Sequence, residues 1–396
     1  MTTHPSCRHK RMRASVGWEA GATLCLLVAV LAAPPLSLAQ EVPAAGQPRE
    51  IRFARASDLT SLDLGVDAGG LEVELTKEPD YRGTSIRRGV IPTGEGEGDF
   101  MAFAIDFSGR TLYLDLNGNR DLTDDPDGVF RTDDEYFAEF DNVRVVRDNA
   151  LGSVPYELSV SAFSEFMDYL DISVTSGWQA ETDLFGESRT LSIIDNMDGV
   201  INSEDQFILG PLGEGGFGDW DEHIPGSSRL SIDGRTYDIA LNLDGDDLLA
   251  TFTPVEPPSG TLELRGERVA RIIMAGKDGA PTVVITPPAR QQPVPVAAYG
   301  HHEIYVDGGA AAGPFFASSE ELLQVKEGEL TPYPYGGPLN NSITVDRSGR
   351  TLNFEYCLRG AGGLEYSSQN RAGGAPPQVV ISKSGEEVAS GTFDYG

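Results

Sequence analysis

Cysteine, histidine and lysine are almost missing from this sequence, and each shortage removes a class of chemistry. Three cysteines and five histidines stand among 396 residues. No C-x-x-C occurs, which excludes thioredoxin-like redox chemistry. Cys357 is the one cysteine outside the first 39 residues, and one thiol cannot close an internal disulfide. It lies in the alternating stretch TLNFEYCLRG and is expected to be a small buried core residue. His301 and His302 adjoin Glu303, but a zinc site needs a third ligand, and His223 is the only other histidine beyond the first 39 residues. On a strand His301 and Glu303 share one face while His302 shares the other with Ile304, so a polar surface strand is expected. No G-x-S-x-G occurs, and no histidine sits in the context of a serine triad. GEGEGDF and GEGGFGDW carry acid where a phosphate loop needs Lys, and they read as exposed loops.

Long apolar runs are also scarce. One stands near the N-terminus, from Ala20 to Ala33, behind Arg8, Lys10, Arg11 and Arg13 and ahead of Pro34 and Pro35. Ser37-Leu38-Ala39 has the small-x-small pattern of a cleavage site. Residues 1–39 are therefore expected to be a signal peptide, against the alternative of an uncleaved anchor. Cys25 lacks the small residues before it that a lipoprotein signal needs. No later segment is apolar enough to span a bilayer. The expected location is the periplasm or the outside medium.

Basic residues are few. The formal charge is −31, and removing four basic residues and one acidic residue with the leader makes it −34. Such a field repels nucleic acid and anionic membranes and attracts cations.

What is abundant is strand signal. GLEVELTKEP, RTLYLDL, YELSVSAF, RTYDIALNL, LLATFTP, PTVVITP, HHEIYVDGG and RTLNFEYCL are short alternating or β-branched runs bounded by Gly, Pro, Asp and Asn. Turn signals recur about every ten residues, as in sandwiches and barrels. The expected fold class is all-β, with two β-sandwich or barrel-like domains. TPVEPPSG, residues 253–260, marks the break between an N-terminal β domain at 41–254 and a C-terminal Ig-like β-sandwich at 260–396. SSEELLQVKEG, residues 318–328, is the one stretch with helical spacing, enough for two turns.

An internal repeat carries the chemistry. RTLYLDLNGNRDLTDDP from Arg110 aligns with RTLSIIDNMDGVINSED from Arg189 at an offset of 79. Both read as a strand running into an oxygen-rich loop. GRTYDIALNLDGDD echoes them weakly, and LNLDGDDLLA reads as a plain hairpin turn on Asp-Gly. An EF-hand-type calcium loop takes ligands from positions 1, 3, 5, 7, 9 and 12, with Gly at 6. Asp115, Asn117, Asn119 and Asp121 take the first four places, and Asp124, Asp125 or Asp127 must close the first loop. Arg120 stands where Gly is usual and Pro126 at the last place. In the second loop Asn196, Asp198, Gly199, Asn202 and Asp205 fit, but Ile194 stands first, and Asp195 serves only with a shift of register. Period-2 oxygens converge on one centre in a coiled loop. Without a cation seven oxygen side chains repel one another. The first loop therefore reads as a cation cage rather than an Asx-turn; the second stays open between the two. Oxygen donors point to calcium, since zinc wants nitrogen or sulfur and magnesium keeps more water.

The stretch LTKEPDYRG…LYLDLNGNRDLTDD resembles uncharacterised exported bacterial β-rich proteins with an LYVD-x-N-x-NGDLTD loop, some of which carry a thioredoxin-like domain that is absent here. The resemblance covers residues 70 to 255 and implies oxygen-ligand loops without implying an activity. The loops are also similar to EF-hand and dockerin loops, without the flanking helices.

Carboxylate pairs abound, but no pair stands out as a glycosidase couple. Trp178 and Trp220 with Tyr81 or Phe217 read as core anchors rather than a sugar platform. The expected function is an exported calcium-stabilised β protein that binds a protein or glycan partner or serves structurally. The rivals are a polysaccharide hydrolase with the same loops as scaffold, and an acidic protein adapted to salt without metal.

Overall fold

The computed structural model describes residues 46–396 apart from 58, 60–61, 65–73, 95–98, 134–137, 163–169, 187, 211–222, 278, 308–309, 317–321, 349–350, 369–377 and 393–396. Residues 1–39, expected to be a signal peptide and including Cys25, lie outside the described residues, as do Phe217, Trp220, most of GEGEGDF and all of GEGGFGDW. The protein is all-β. Pro126–Gly128, a single 3-10 turn, is the only helical element among the described residues. No described helix is long and apolar enough to cross a membrane.

Alternation builds the strands. In Gly152–Ala162, Val154, Tyr156, Leu158 and Val160 are buried, while the intervening residues are more exposed. This strand joins Leu62–Asp63, Leu170–Val174 and Ala138–Asn149 in one four-stranded sheet. A second four-stranded sheet is an antiparallel meander of Ile86–Pro92, Phe100–Asp106, Thr111–Leu114 and Val129–Arg131. The largest sheet has sixteen strands. It begins His223–Pro225, Gln206–Gly210, Arg189–Ile194, Gly177–Thr182, Arg49–Ala56, Asp247–Val255, Arg235–Asp244, Arg229–Ile232. It crosses to Thr282–Ile285 through a parallel pair, Leu230 to Ile232 beside Thr282 to Val284. It then continues through Val269–Gly276 and Ala297–Val306 to the outer strand Gly336–Ser348.

One core gathers Phe53, Phe103, Trp178, Phe207 and Phe252 between the sheets of the first half. A second gathers Leu262, Met274, Tyr299 and Tyr333 in the other half. Turns enter strands as the sequence suggests. The Gly-Arg-Thr stretches at 109–111 and 234–236 each lead from a tight turn into a strand. Asp244 pairs with Asp247 around a two-residue turn whose Gly245 has φ 67°.

Three expectations change. The stretch expected to be helical, 318–328, holds the strand Leu323–Val325, paired with Ala297 to Tyr299. Val325 is buried in the second core, and pairing along that edge outweighs local helix preference. Cys357 is half-buried rather than buried, and it lies on the last strand but one of the sheet, opposite Ser342 of the outermost strand. His301, Glu303 and Tyr305 do share one face, but the row is largely buried rather than on the surface. His301 Nε2 lies 2.8 Å from Glu303 Oε1, and Tyr305 Oη donates to Glu303 Oε2 at 2.7 Å.

Burial pushes the Glu303 carboxyl up, but the His301 and Tyr305 hydrogen bonds outweigh it and hold the carboxyl below its ordinary value. The stability from this site is present above the ordinary carboxylate pKa and is lost as pH falls through the lower folded value. His301→Ala is expected to cost about 1–3 kcal/mol at neutral pH and to shrink that acid-side loss, read from urea unfolding at a series of pH values.

Candidate metal centre

Both acidic loops are strand-to-strand connections of the same design. The first joins Thr111–Leu114 to Val129–Arg131, and the second joins Arg189–Ile194 to Gln206–Gly210. Two acids ten residues apart frame each. In the first, Asp115 accepts the amide of Asn119 at 3.1 Å and Asp125 that of Leu116 at 3.0 Å. In the second, Asp195 accepts the amide of Gly199 at 3.0 Å and Asp205 that of Asn196 at 2.9 Å. The register shift that the second loop demanded is thus present: Asp195, not Ile194, takes the first place. Inside the frame the residues keep the offset of 79, with Gly118 matched by Met197 and Arg120 by Gly199, all at positive φ. Arg120, at φ 65°, adopts the left-handed backbone that the sixth place of such a loop requires.

The two loops differ in where their oxygens go. In the first, Asn117, Asn119 and Asp124 are exposed. Asn117 Oδ1, Asn119 Oδ1 and Asp121 Oδ1 each cap an amide two residues on. Both asparagine NH2 groups donate to Asp124, and Lys77 Nζ lies 3.8 Å from Asp121. These are Asx-turn bonds on an exposed ridge. In the second loop, Asp195, Asp198 and Asp205 each place one carboxylate oxygen within 4.8 Å of the others. This is the one such acidic cluster among the described residues. Asp195 is 3 % exposed and Asp205 2 %. Asn202 Nδ2 donates to Asp198 Oδ2 at 3.3 Å, and Asn196 Oδ1 caps the Asp198 amide at 3.2 Å.

Two buried carboxylates side by side oppose each other's ionisation. Burial first, and then the charge of Asp198, push the Asp195 carboxyl up to about 6 despite its bond from Tyr156. Burial and the charge of Asp195 push Asp205 well up too. A cation between them removes the conflict. The donors are carboxylate and amide oxygens, with no sulfur or imidazole, which fits a hard cation. The buried Asp cluster could therefore hold a metal ion.

Three residues behind the cluster were not singled out from sequence. Tyr156, 1 % exposed, reaches Asp195 Oδ2 with its hydroxyl. Asn149 Nδ2 donates to that hydroxyl at 2.7 Å, so the single hydroxyl proton is directed to Asp195. Burial keeps the phenol protonated. Asn149 Nδ2 also donates to the Met197 carbonyl at 3.1 Å, tying the loop to the hairpin turn at 149–152. Arg55 stacks 4.6 Å from the Trp178 ring and 5.7 Å from that of Tyr156, and donates to the Pro155 carbonyl and Ser176 Oγ. The sequence did hold a signal: Tyr156 falls on the core face of YELSVSAF, and a buried tyrosine needs a partner for its hydroxyl. Tyr156→Phe is expected to weaken divalent-cation affinity about 10-fold, measured by titration calorimetry, because supports behind ligands act on that scale.

No family model, no curated protein and no solved structure matches this chain.

Proposed function

We propose that this is an exported, calcium-stabilised β protein that acts as a binding or structural module rather than an enzyme. The observation that carries the reading is the buried Asp195–Asp198–Asp205 cluster, whose oxygen donors suit calcium better than zinc or magnesium. The charge distribution supports it. Residues 40–259, which hold both loops, carry 45 acidic and 15 basic residues, against 15 and 11 in 260–396, so the field that gathers cations surrounds the loops. The leader pattern of residues 1–39 supports export to the periplasm or beyond, where millimolar calcium fills weak sites. Affinity is on the order of 10⁻⁴ to 10⁻³ M, as in extracellular modules.

The first loop is the weaker, second calcium site. Asp115 and Asp125 supply its frame, and the exposed Asn117, Asn119 and Asp124, with the half-buried Asp121, turn toward the ion on binding. Calcium titration calorimetry on residues 40–396 tests both sites. The expected result is two sites, one lost in a double variant Asp115→Ala with Asn117→Ala. An unchanged calcium response in that variant would remove the first loop from the account.

A further inference from the structure

A cavity of about 470 Å³ opens on the outward face of the sheet that contains Tyr156, on the side away from that residue and the core. Its size is that of a small-molecule site. Short side chains hollow it out. Ser159 stands opposite Ser173, and Ser161 opposite Asp171, on adjacent strands. On the third strand a bulge between Phe140 and Val143 brings both Asp141 and Asn142 to the rim. Asn142 is held there at φ 55°, a left-handed conformation that a bulge uses to re-aim a side chain.

The polarity of the lining selects the ligand. Ser159 donates its proton to Asp141 at 3.2 Å, Ser173 to Asp171 at 2.7 Å, and Thr175 to the Glu157 carbonyl at 3.2 Å. A hydroxyl has one proton, so these oxygens turn only lone pairs to the cavity. Two carboxylates add more acceptors and negative charge, and no Lys or Arg is among the lining residues. An anion is repelled. A neutral polyol finds donors only in the Asn142 amide and the Ser161 hydroxyl, and it leaves the charge of both carboxylates unmatched. An ammonium group brings three donors, no acceptor and a positive charge. Leu59 in the wall offers an apolar contact for an attached methylene chain.

We propose that this cavity binds a small alkylammonium compound, with Asp141 and Asp171 as its counter-charges. The proposal does not rest on the calcium reading, since the cavity lies on the opposite face of the strand from the residue that supports Asp195. The test is titration calorimetry of residues 40–396 at physiological salt and saturating calcium, with 1,4-diaminobutane, sorbitol and glucuronate as probes. The diamine is expected to bind at one site and the other two not at all. Asp171→Asn is expected to weaken the diamine at least 10-fold, and so is Ser161→Leu, which fills the trough without removing charge. Glu329→Gln, which removes the same charge from an exposed position in the other half, is expected to leave it unchanged. Equal weakening by Asp171→Asn and Glu329→Gln would show general charge attraction and overturn the site. So would sorbitol binding as tightly as the diamine, or full affinity in Ser161→Leu.

Discussion

In EDTA the protein is expected to lose about 3 kcal/mol of stability between pH 4 and pH 7, and in calcium most of that loss is expected to disappear. The sign follows from Asp195. Its carboxyl titrates near 6 in the folded chain, against about 3.9 in an unfolded one. A raised carboxyl gives stability that is fully present below the unfolded value and is lost as pH rises through the folded value. The gap between those two values is worth about 3 kcal/mol. Asp205 is raised in the same direction and adds to it. Calcium binds only the ionised pair, so its benefit grows as the protons leave. At 100 times the dissociation constant it returns about 2.7 kcal/mol. Urea unfolding from pH 4 to 8, with calcium and with EDTA, reads both slopes. The Glu303 site bends the curve the other way, but only on the acid side, so the two windows separate.

Asp205→Ala is expected to cost about 3–5 kcal/mol in calcium and to stay within about 1 kcal/mol of the parent in EDTA. Asp205 accepts the amides of Asn196 at 2.9 Å and Asn202 at 2.7 Å, so its removal strands two donors, at about 1–3 kcal/mol each before water reaches them. In EDTA that cost is offset, because the substitution also removes a buried charge in conflict with Asp195. In calcium there is no such conflict to relieve, and the ion's contribution is lost as well. Chemical unfolding of the variant under both conditions checks the contrast. An equal loss in both would make Asp205 a cap for the loop and not a ligand.

Much of the fold was legible because burial on one side of a sheet writes itself as alternation. Val154, Tyr156, Leu158 and Val160 show it directly. Turns were legible where backbone geometry demands a residue type, as at Gly245. What escaped was non-local. Nothing in RLSID or PTVVITP announces that these two strands run parallel and carry one sheet across the proline-rich segment at 253–260. The strand Leu323–Val325 was hidden for the same reason, since its partner lies some 25 residues upstream. The oxygen-rich loops were plain in the sequence, but their convergence was not. That Asp195 rather than Ile194 leads the second loop shows only in its bond from the Gly199 amide, and Met197, at φ 81°, takes a left-handed backbone of which a methionine gives no warning. Pattern matching thus favours the more regular first loop, whereas burial gathers the carboxylates in the second.

A cation that completes the Asp195–Asp198–Asp205 cluster makes thermal stability specific to that cation. Thermal unfolding of residues 40–396 in calcium, magnesium, sodium and EDTA at one ionic strength and neutral pH tests it most directly. The midpoint is expected to lie several degrees higher in calcium than in any other condition, with no such rise in Asp205→Ala. Superimposable curves in all four would contradict it and leave the cluster a strained acidic turn.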